Sequence, residues 1–444
     1  MDTRGSWAII VSMGNGGALK KKPGKIAVIG LGYVGLPLAV ALAEHFPTVG
    51  YDIDKERIKT LNAGHDWTNE VTDKDLKKSP LKFSAVKDIL KGADVFIITT
   101  PTPIGTNHQP DLGPVLSACK SIARYLSKGA VVILESTVYP GVTEMKCGPE
   151  LESGTSLRCG EDFFLGYSPE RTNPGDKIHT IHKITKVIAG QTEAVTDLME
   201  VIYGAITHGN VFRAKNIKAA EASKVIENAQ RDLNIAFINE AAIIFNQAGF
   251  SIYDVLDAAK TKWNFLDFKP GLVGGHCIGI DPYYLAHFAE EVGFEADLIL
   301  TARRTNDAMA GFIAGDISKK LKHGSRVLIL GLTFKEDVPD LRNSRAVDLI
   351  WALKERGLNV DVYDPIADPE EVHREYGIRL VDSLTIKNAA DRYDAVVGTV
   401  SHRAFRKLKA KELEGLLKKD GLVGDIKGIW RGLEFSKGIR RWCL

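Results

Sequence analysis

Apolar positions along this chain follow two alternating rhythms: short unbroken runs, and longer stretches where they recur every third or fourth residue. Residues 25–30 (KIAVIG) are too short a run for a helix and predict a buried strand. A glycine-rich turn follows, then the helical stretch PLAVALAEHF and a second strand, TVGYDID. ADVFIITT and AVVILEST continue as strands, separated by helical segments such as PVLSACKSIARYL. Strand–helix alternation of this kind predicts a parallel, doubly wound α/β sheet over residues 25–215.

The rhythm changes at residue 217. Residues 217–248 contain neither Gly nor Pro, with Asn216 as an N-cap before them and Gly249 as a stop after them. This predicts one helix on the order of 45 Å long. Ala220, Val225, Ile226, Ala229, Leu233, Ala236, Phe237, Ala241 and Ile244 cover most of its circumference, so it is expected to be largely buried. It carries more apolar surface than one subunit would cover, which predicts a homodimer centred on it. Helical pattern continues from 252 to about 309, broken by a loop at 264–282, and completes a helical middle domain over 216–310. Alternation then restarts: RVLILGL (326–332), NVDVYDP (359–365), DAVVGTV (394–400) and GLVGDIKG (421–428) predict a second, smaller α/β domain over 311–444.

Composition narrows the class. The 444 residues exceed what one core normally organises. Apolar residues at 44% and charged ones at 26% match a soluble globular protein. Lys plus Arg number 58 against 56 acids, without the basic patch that nucleic acid or a membrane surface requires. The five cysteines (Cys119, Cys147, Cys159, Cys277 and Cys443) show no metal-ligand spacing. They point to a reducing cytoplasm and no metal site, with a Cys147–Cys159 bridge as the minor alternative. No apolar run approaches the roughly 18 residues that span a bilayer. Residues 1–24, with the short patch WAIIVSM after Arg4, read as a loose leader rather than a targeting signal.

Gly30-x-Gly32-x-x-Gly35 sits where a strand hands over to a helix. The first glycine permits a tight turn, the second lets the backbone approach a pyrophosphate, and the third allows close helix–strand packing. The pattern alone is weak, but Asp52 at the end of the next strand is placed to accept ribose hydroxyls. Its carboxylate would repel a 2′-phosphate, which favours NAD over NADP. The alternative is an ordinary turn beside a solvated Asp.

The loop PGLVGGHCIGIDP (270–282) sets Cys277 among glycines, with Asp281 four positions on. A thiol there can act as a nucleophile and the carboxylate as a base for water. A small buried structural Cys is the competing explanation, and His276 could pair with the thiol, orient it or be structural. On the long helix, Glu221, Lys224, Asn228 and Asp232 share one stripe at spacings of three and four. A solvated stripe is the bland reading. Facing a reaction centre, Lys and amide groups would stabilise an oxyanion, about 3–4 kcal/mol per well-placed donor.

Several motifs occur in order: GLGYVGLP, TPTP (100–103), ESTVYPG (135–141), SPERTNPG (168–175), SKVIENA (223–229), GGHCIGID (274–281) and FKEDVPDLRNS (334–344). With them the chain resembles the UDP-glucose/UDP-mannuronate dehydrogenase family over about residues 25–440. The resemblance implies two Rossmann-like domains joined by a long central helix used in dimerisation, with NAD bound by the first and a UDP-sugar by the second. It implies oxidation of a UDP-sugar at C6 to the uronic acid, for surface polysaccharide or glycan precursors. Cys277 would trap the aldehyde as a thiohemiacetal that goes on to a thioester. Lys224 and Asn228 would hold the oxyanion, Asp281 and Thr137 would position water and handle protons, and Glu170 matches an active-site acid. Tyr33, Val34, Asp52, Arg57, Thr102 and Thr137, with Gly30, Gly32 and Gly35, would contact NAD. Arg171, Thr172, Lys224, Asn228, Arg231, Gly271, Phe334, Lys335 and Arg342 would contact the UDP-sugar, where basic groups suit a pyrophosphate.

One departure matters. UDP-glucose-specific members place a second Glu four residues after the first, where this chain has Pro174. The SPERTNPG and GGHCIGID forms resemble the branch acting on UDP-N-acetylhexosamines, and both UDP-GlcNAc and UDP-ManNAc stay open. The GLVGGHCIGIDPYYL wording leans to the former. The competing functions are a UDP-glucose 6-dehydrogenase, a two-electron hydroxyacid dehydrogenase, which needs neither Cys277 nor residues 311–444, and a non-catalytic nucleotide-sugar sensor.

Overall fold

In a computed structural model, which describes residues 19, 22–105, 107–172, 180–275, 278–385 and 391–444, the short apolar runs become strands. The first sheet contains β1 (Ile26–Ile29), β2 (Thr48–Tyr51), β3 (Lys82–Ser84), β4 (Val95–Ile98), β5 (Ala130–Leu134), β6 (Phe163–Tyr167), β7 (Lys186–Gly190) and β8 (Val211–Arg213). Their order is β3-β2-β1-β4-β5-β6-β7-β8. Ile26, Val28, Val95, Ile97, Val131 and Ile133 pack into one core with the helices Gly35–Ala43 and Glu193–Thr207. Their alternates Ala27, Phe96 and Val132 are buried as well. Burial on both faces explains why these strands read as unbroken apolar runs.

The strand order reverses direction at β1, leaving a crevice at the carboxyl ends of β1 and β4. Open α/β sheets bind ligands at such a switch point. Every pairing in this sheet is parallel except β6 with β7, where Gly166 faces Gly190 and Tyr167 faces Ala189. The antiparallel β7 is the departure from the wholly parallel alternation expected.

The second sheet comprises β9 (Arg326–Leu330), β10 (Asn359–Tyr363), β11 (Tyr393–Gly398), β12 (Leu417–Asp425) and β13 (Arg440–Cys443) in the order β10-β9-β11-β12-β13, all parallel. Val327 and Ile329 point into one core, Leu328 and Leu330 into another on the opposite face. The chain packs as two compact units. One comprises residues up to Glu227 with Tyr283–Phe294, the other Asn228–Pro282 with Glu295–Leu444.

The central helix, Ile217–Gln247, is continuous. The Asn216 side chain caps it, accepting from the Ala219 amide at 2.8 Å, and Gly249 ends it with φ +89°. Its burial is less complete than the sequence predicts. Ile226, Phe237 and Ile244 are 60%, 67% and 54% exposed. Spaced eleven and seven residues apart, they lie within about 20° of one another around the axis, so they form one apolar face.

Helices Ile252–Ala259, Asp281–Glu291 and Asp297–Ser318 follow, with the intervening loop where the pattern placed it. Residues 1–18, 20 and 21 of the leader lie outside the described residues, while Gly24 at its end donates to Asp94 Oδ2 at 2.7 Å. Cys119, Cys147, Cys159 and Cys443 are free thiols, so Cys147 and Cys159 are not bridged. Among the described residues no helix is long and apolar enough to cross a membrane.

Candidate active site

Gly30 turns the chain out of β1 with φ +94°, and a Cβ there would meet the Thr99 backbone at 3.2 Å. A Cβ at Gly35 would lie 1.8 Å from the Gly30 carbonyl oxygen, so the helix starts against the turn itself. A Cβ at Gly32 meets nothing within 4 Å, leaving this backbone open to a ligand. Tyr33 and Val34 complete the turn, half-buried. Asp52 is fixed at its mouth: Oδ2 accepts from the Leu31 amide at 2.7 Å and Oδ1 from the Asp54 amide at 2.9 Å. Each oxygen keeps a further lone pair for an outside donor. Arg57 buttresses the turn, donating from Nε to the Leu31 carbonyl at 2.8 Å and pairing with Asp66 at 2.8 Å. Burial pushes the Asp66 carboxyl up, but hydrogen bonds from Val71 and Thr68 and the Arg57 charge outweigh it, and its pKa falls. Thr102 is half-buried, its carbonyl accepting from the Tyr284 hydroxyl at 2.8 Å. Open backbone at Gly32, a helix N-terminus and a fixed carboxylate fit a dinucleotide.

In the same unit the ESTVYPG loop is tied down at both ends. Ser136 Oγ donates to the Thr100 carbonyl at 2.6 Å. Glu221, on the central helix, accepts from the Gly141 amide at 2.5 Å and from the Thr143 amide and hydroxyl at 2.9 and 2.7 Å. Thr137 lies between these ties, half-buried. Burial drives the Glu221 carboxyl up to about 7, against the hydrogen bonds from Thr143 and Gly141 that pull it down. One turn along the helix, Lys224 is buried. Among the described residues no hydrogen bond or ion pair holds its ammonium, which leaves it available to a ligand. Arg171 is engaged: its guanidinium bonds Glu227 at 2.7 and 3.2 Å and the Thr185 carbonyl at 3.2 Å. Glu170 accepts the Arg171 and Thr172 amides and pairs with Lys186 at 2.9 Å.

In the other unit, Asn228 Nδ2 donates to Asp281 Oδ2 at 2.5 Å, both buried. Asp232 is buried against Arg303 and Asn306, and Arg231 beside it is exposed. Burial raises the Asp232 carboxyl more than Arg303 lowers it. Glu221 and Asp232 are therefore anchors, and the solvated-stripe reading fails because all four members are buried.

The sequence reading missed Asn239, further along the same stripe. It accepts the Gly271 amide at 2.7 Å and donates to the Gly271 carbonyl at 3.0 Å, holding that glycine at φ +138°. The spacing from Asp232 is seven, which pattern alone could have found. Lys427 was also missed: a Cβ at Gly271 would lie 2.6 Å from its Nζ. The Gly275 amide donates to the Asn343 carbonyl at 3.1 Å, the Asn343 side-chain amide donates back to the Gly275 carbonyl at 2.9 Å, and a Cβ at Gly275 would meet the Phe334 ring at 2.8 Å. The FKEDVPDLRNS segment thus clamps the glycine loop. Within it Arg342 pairs with Asp340 through two bonds at 2.9 and 2.7 Å, and the Lys335 carbonyl accepts from Thr333. Cys277, His276 and Pro174 lie outside the described residues.

Two predictions follow from this geometry. Gly32→Ala should keep the thermal midpoint within the change of about 0.5 kcal/mol typical of open surface sites, yet weaken NAD binding. Gly35→Ala should lose both, with overpacking costing about 1–3 kcal/mol; equal effects of the two on melting would count against the assignment. An acid raised in the fold favours folding below its unfolded pKa and loses that contribution as pH rises through the folded value. For Glu221 that window runs from 4.5 to about 7. Wild-type melting should decline across it, and Glu221→Gln should flatten the decline; an unchanged slope in the variant would refute the assignment.

Family models match most of the chain: the NAD binding domain of the UDP-glucose/GDP-mannose dehydrogenase family over residues 24–207, its central domain over 218–308 and its UDP binding domain over 328–432. Protein CapL of Staphylococcus aureus is 48% identical, over 94% of this chain and 99% of its own. The UDP-N-acetyl-D-glucosamine 6-dehydrogenase of Pseudomonas aeruginosa is 48% identical over 91% of this chain and 96% of its own. The structure of the UDP-D-ManNAc dehydrogenase from Pyrococcus horikoshii matches with a TM-score of 0.83 at 33% identity, covering 94% of this chain and 98% of that one. The chain belongs to the UDP-glucose/GDP-mannose dehydrogenase family and is an NAD-dependent UDP-sugar dehydrogenase.

Proposed function

We propose that this enzyme oxidises C6 of UDP-N-acetylglucosamine to the carboxylate, as a cytoplasmic homodimer. The observation that carries the sugar assignment is the 48% identity, along 91% of the chain, to a relative named for that substrate. An N-acetylmannosamine enzyme of known structure stands at 33%. Pro174, where glucose-specific members place a glutamate, supports the N-acetylhexosamine branch. Four free thiols support a reducing compartment.

Bound NAD supplies the hydride acceptor, with Asp52 and the Gly30–Gly35 turn to hold it. The chain's own side chains do the rest. Lys224, buried and without a partner among the described residues, is suited to hold negative charge on the sugar oxygen, and Asn228 adds a second donor. Asp281, bonded to Asn228, takes the role of activating water in this reading. Cys277 is assigned as the nucleophile that captures the aldehyde. The tetrahedral adduct still carries a C–H bond, so a second hydride can leave and the resulting thioester is hydrolysed. Alcohol to carboxylate is a four-electron change and each NAD accepts one hydride, which requires two NADH per sugar.

A panel of UDP-GlcNAc, UDP-ManNAc and UDP-glucose, read by NADH absorbance, tests this assignment. UDP-GlcNAc should give the highest kcat/KM, with two NADH per sugar and no free aldehyde, and Cys277→Ala should fold and bind NAD without completing the oxidation. One NADH per sugar, or near-normal carboxylate from Cys277→Ala, would refute the covalent four-electron route.

The apolar face of Ile226, Phe237 and Ile244 supports the homodimer. Light scattering at micromolar concentration should give twice the chain mass of 48.6 kDa, and Phe237→Glu should shift the population to monomer. A monomeric wild type would count against this assembly.

A further inference from the structure

The first unit buries a lysine that the mechanism above does not use. Lys186 begins β7, the strand that runs antiparallel to β6. Continuing the register from Gly166 with Gly190 brings Glu170 opposite Lys186. The reversal of one strand therefore delivers a cation to the carboxyl edge of the sheet, beside the SPERTNPG segment.

Lys186 is fully buried, as are the groups around it. Its Nζ lies 2.7 Å from Glu135 Oε2 and 2.9 Å from Glu170 Oε2. The Tyr203 hydroxyl donates to Glu135 Oε1 at 2.5 Å, and Lys186 Nζ sits 5.3 Å from that ring. Glu170 Oε1 accepts the Arg171 amide at 2.8 Å and the Thr172 amide at 2.5 Å. Arg171 itself is held by Glu227. Both oxygens of Glu170 are thus committed, one to a cation and one to the backbone that follows it.

We propose that Lys186 is a positioning residue: by clamping Glu170 it commits that carboxylate to ordering the Arg171–Thr172 backbone for the nucleotide sugar, and Glu170 carries no proton in the reaction. The inference rests on the UDP-sugar reading above. Burial pushes Glu170 up, but the Lys186 charge and the hydrogen bonds from Thr172 overcome it and bring it to about 2. Glu135, deeper in the sheet, goes the other way, because burial raises it more than Lys186 lowers it. A group ionised so far below neutrality, with both oxygens occupied, is a poor general acid or base near pH 7. Without Lys186, two buried carboxylates would face each other and one would take up a proton.

The test follows NADH from about pH 5.5 to 9, on whichever UDP-sugar the wild type oxidises, with thermal melting and NAD fluorescence as controls of fold. Lys186→Met should raise the UDP-sugar KM about tenfold or more, with a smaller fall in kcat. It should also introduce an acid limb in kcat/KM near neutrality that the wild type lacks, and Lys186→Arg should remove both effects. Glu170→Gln alone sets an amide N–H₂ against the ammonium and should be impaired. Combined with Lys186→Met it should recover a KM within about threefold of wild type, since the amide oxygen still accepts from Arg171 and Thr172. If Lys186→Met does not fold, the charge-balanced double variant carries the test. A kcat loss of about a hundredfold at unchanged KM in both proteins with Gln at 170 would overturn the proposal and make Glu170 a proton carrier. A wild type inert on every UDP-sugar would instead refute the UDP-sugar reading. The clamp is then judged by UDP calorimetry, where equal affinity in wild type and Lys186→Met would overturn it.

Discussion

A polar side chain that the central helix buries has to recover from some partner the hydrogen bonds it gave up in water, and leaving one unmade costs about 1–3 kcal/mol. This requirement makes the helix an organiser of loops. Glu221 can be buried only if the Gly141 and Thr143 amides come to it, which fixes the loop carrying Thr137. Asn228 finds Asp281, Asp232 finds Arg303 and Asn306, and Asn239 finds both backbone groups of Gly271. One segment in the first unit and three in the second are each held by a residue of this helix within the same unit. Lys224 is the member without a partner among the described residues, which is the state expected of a residue whose partner is a ligand.

A second constraint shapes both sheets at the point where strand order reverses. After β1, the Leu31 amide reaches Asp52 at the end of β2, and Thr99 after β4 donates to the Gly30 carbonyl. After β9, the Leu332 amide reaches Asp364 beyond β10, and Thr399 after β11 donates to the Gly331 carbonyl. The two halves thus close their switch points with the same bonds, a likeness their side chains conceal. The difference is what occupies the acid. Asp52 keeps acceptor capacity at an open turn, whereas Asp364 is also held by buried His402 at 3.1 Å. Burial pushes Asp364 up, but the His402 contact and neighbouring amides bring it to about 2. The same local geometry leaves an open turn in one unit and a closed structural joint in the other.

How far these arrangements were legible follows from the range of the interactions. Strands buried on both faces announce themselves as apolar runs, and the absence of Gly and Pro over 217–248 announces the central helix, because both signals are local. Asn239 was legible too, by continuing the stripe seven residues. Lys186 was not, since its meaning depends on the antiparallel register of β7 against β6 and on Glu135, 51 residues away. Lys427 is likewise beside Gly271 only through tertiary packing. The incomplete burial of the helix was misjudged for a related reason: composition shows how much apolar surface exists, not which face the single chain covers. For Cys277, the chemistry remains legible in the sequence alone, because its residue lies outside the described set.

Glu221 and Glu170 make the limit of motif reading concrete. Both are buried glutamates, and each accepts backbone amides from a loop that carries or borders candidate site residues. Glu221 meets only neutral donors, so burial prevails and its carboxyl rises to about 7. Glu170 meets the same kind of amides plus one ammonium, and its carboxyl falls to about 2. One cation, delivered by the direction of one strand, separates the two. The glutamate that resemblance marks as an acid is the one the fold holds ionised, while the one poised to titrate near neutrality sits on the helix as an anchor of the Thr137 loop. Proton transfer at this site therefore has to be assigned from each carboxylate's surroundings, since the residue type and its motif are the same in either charge state.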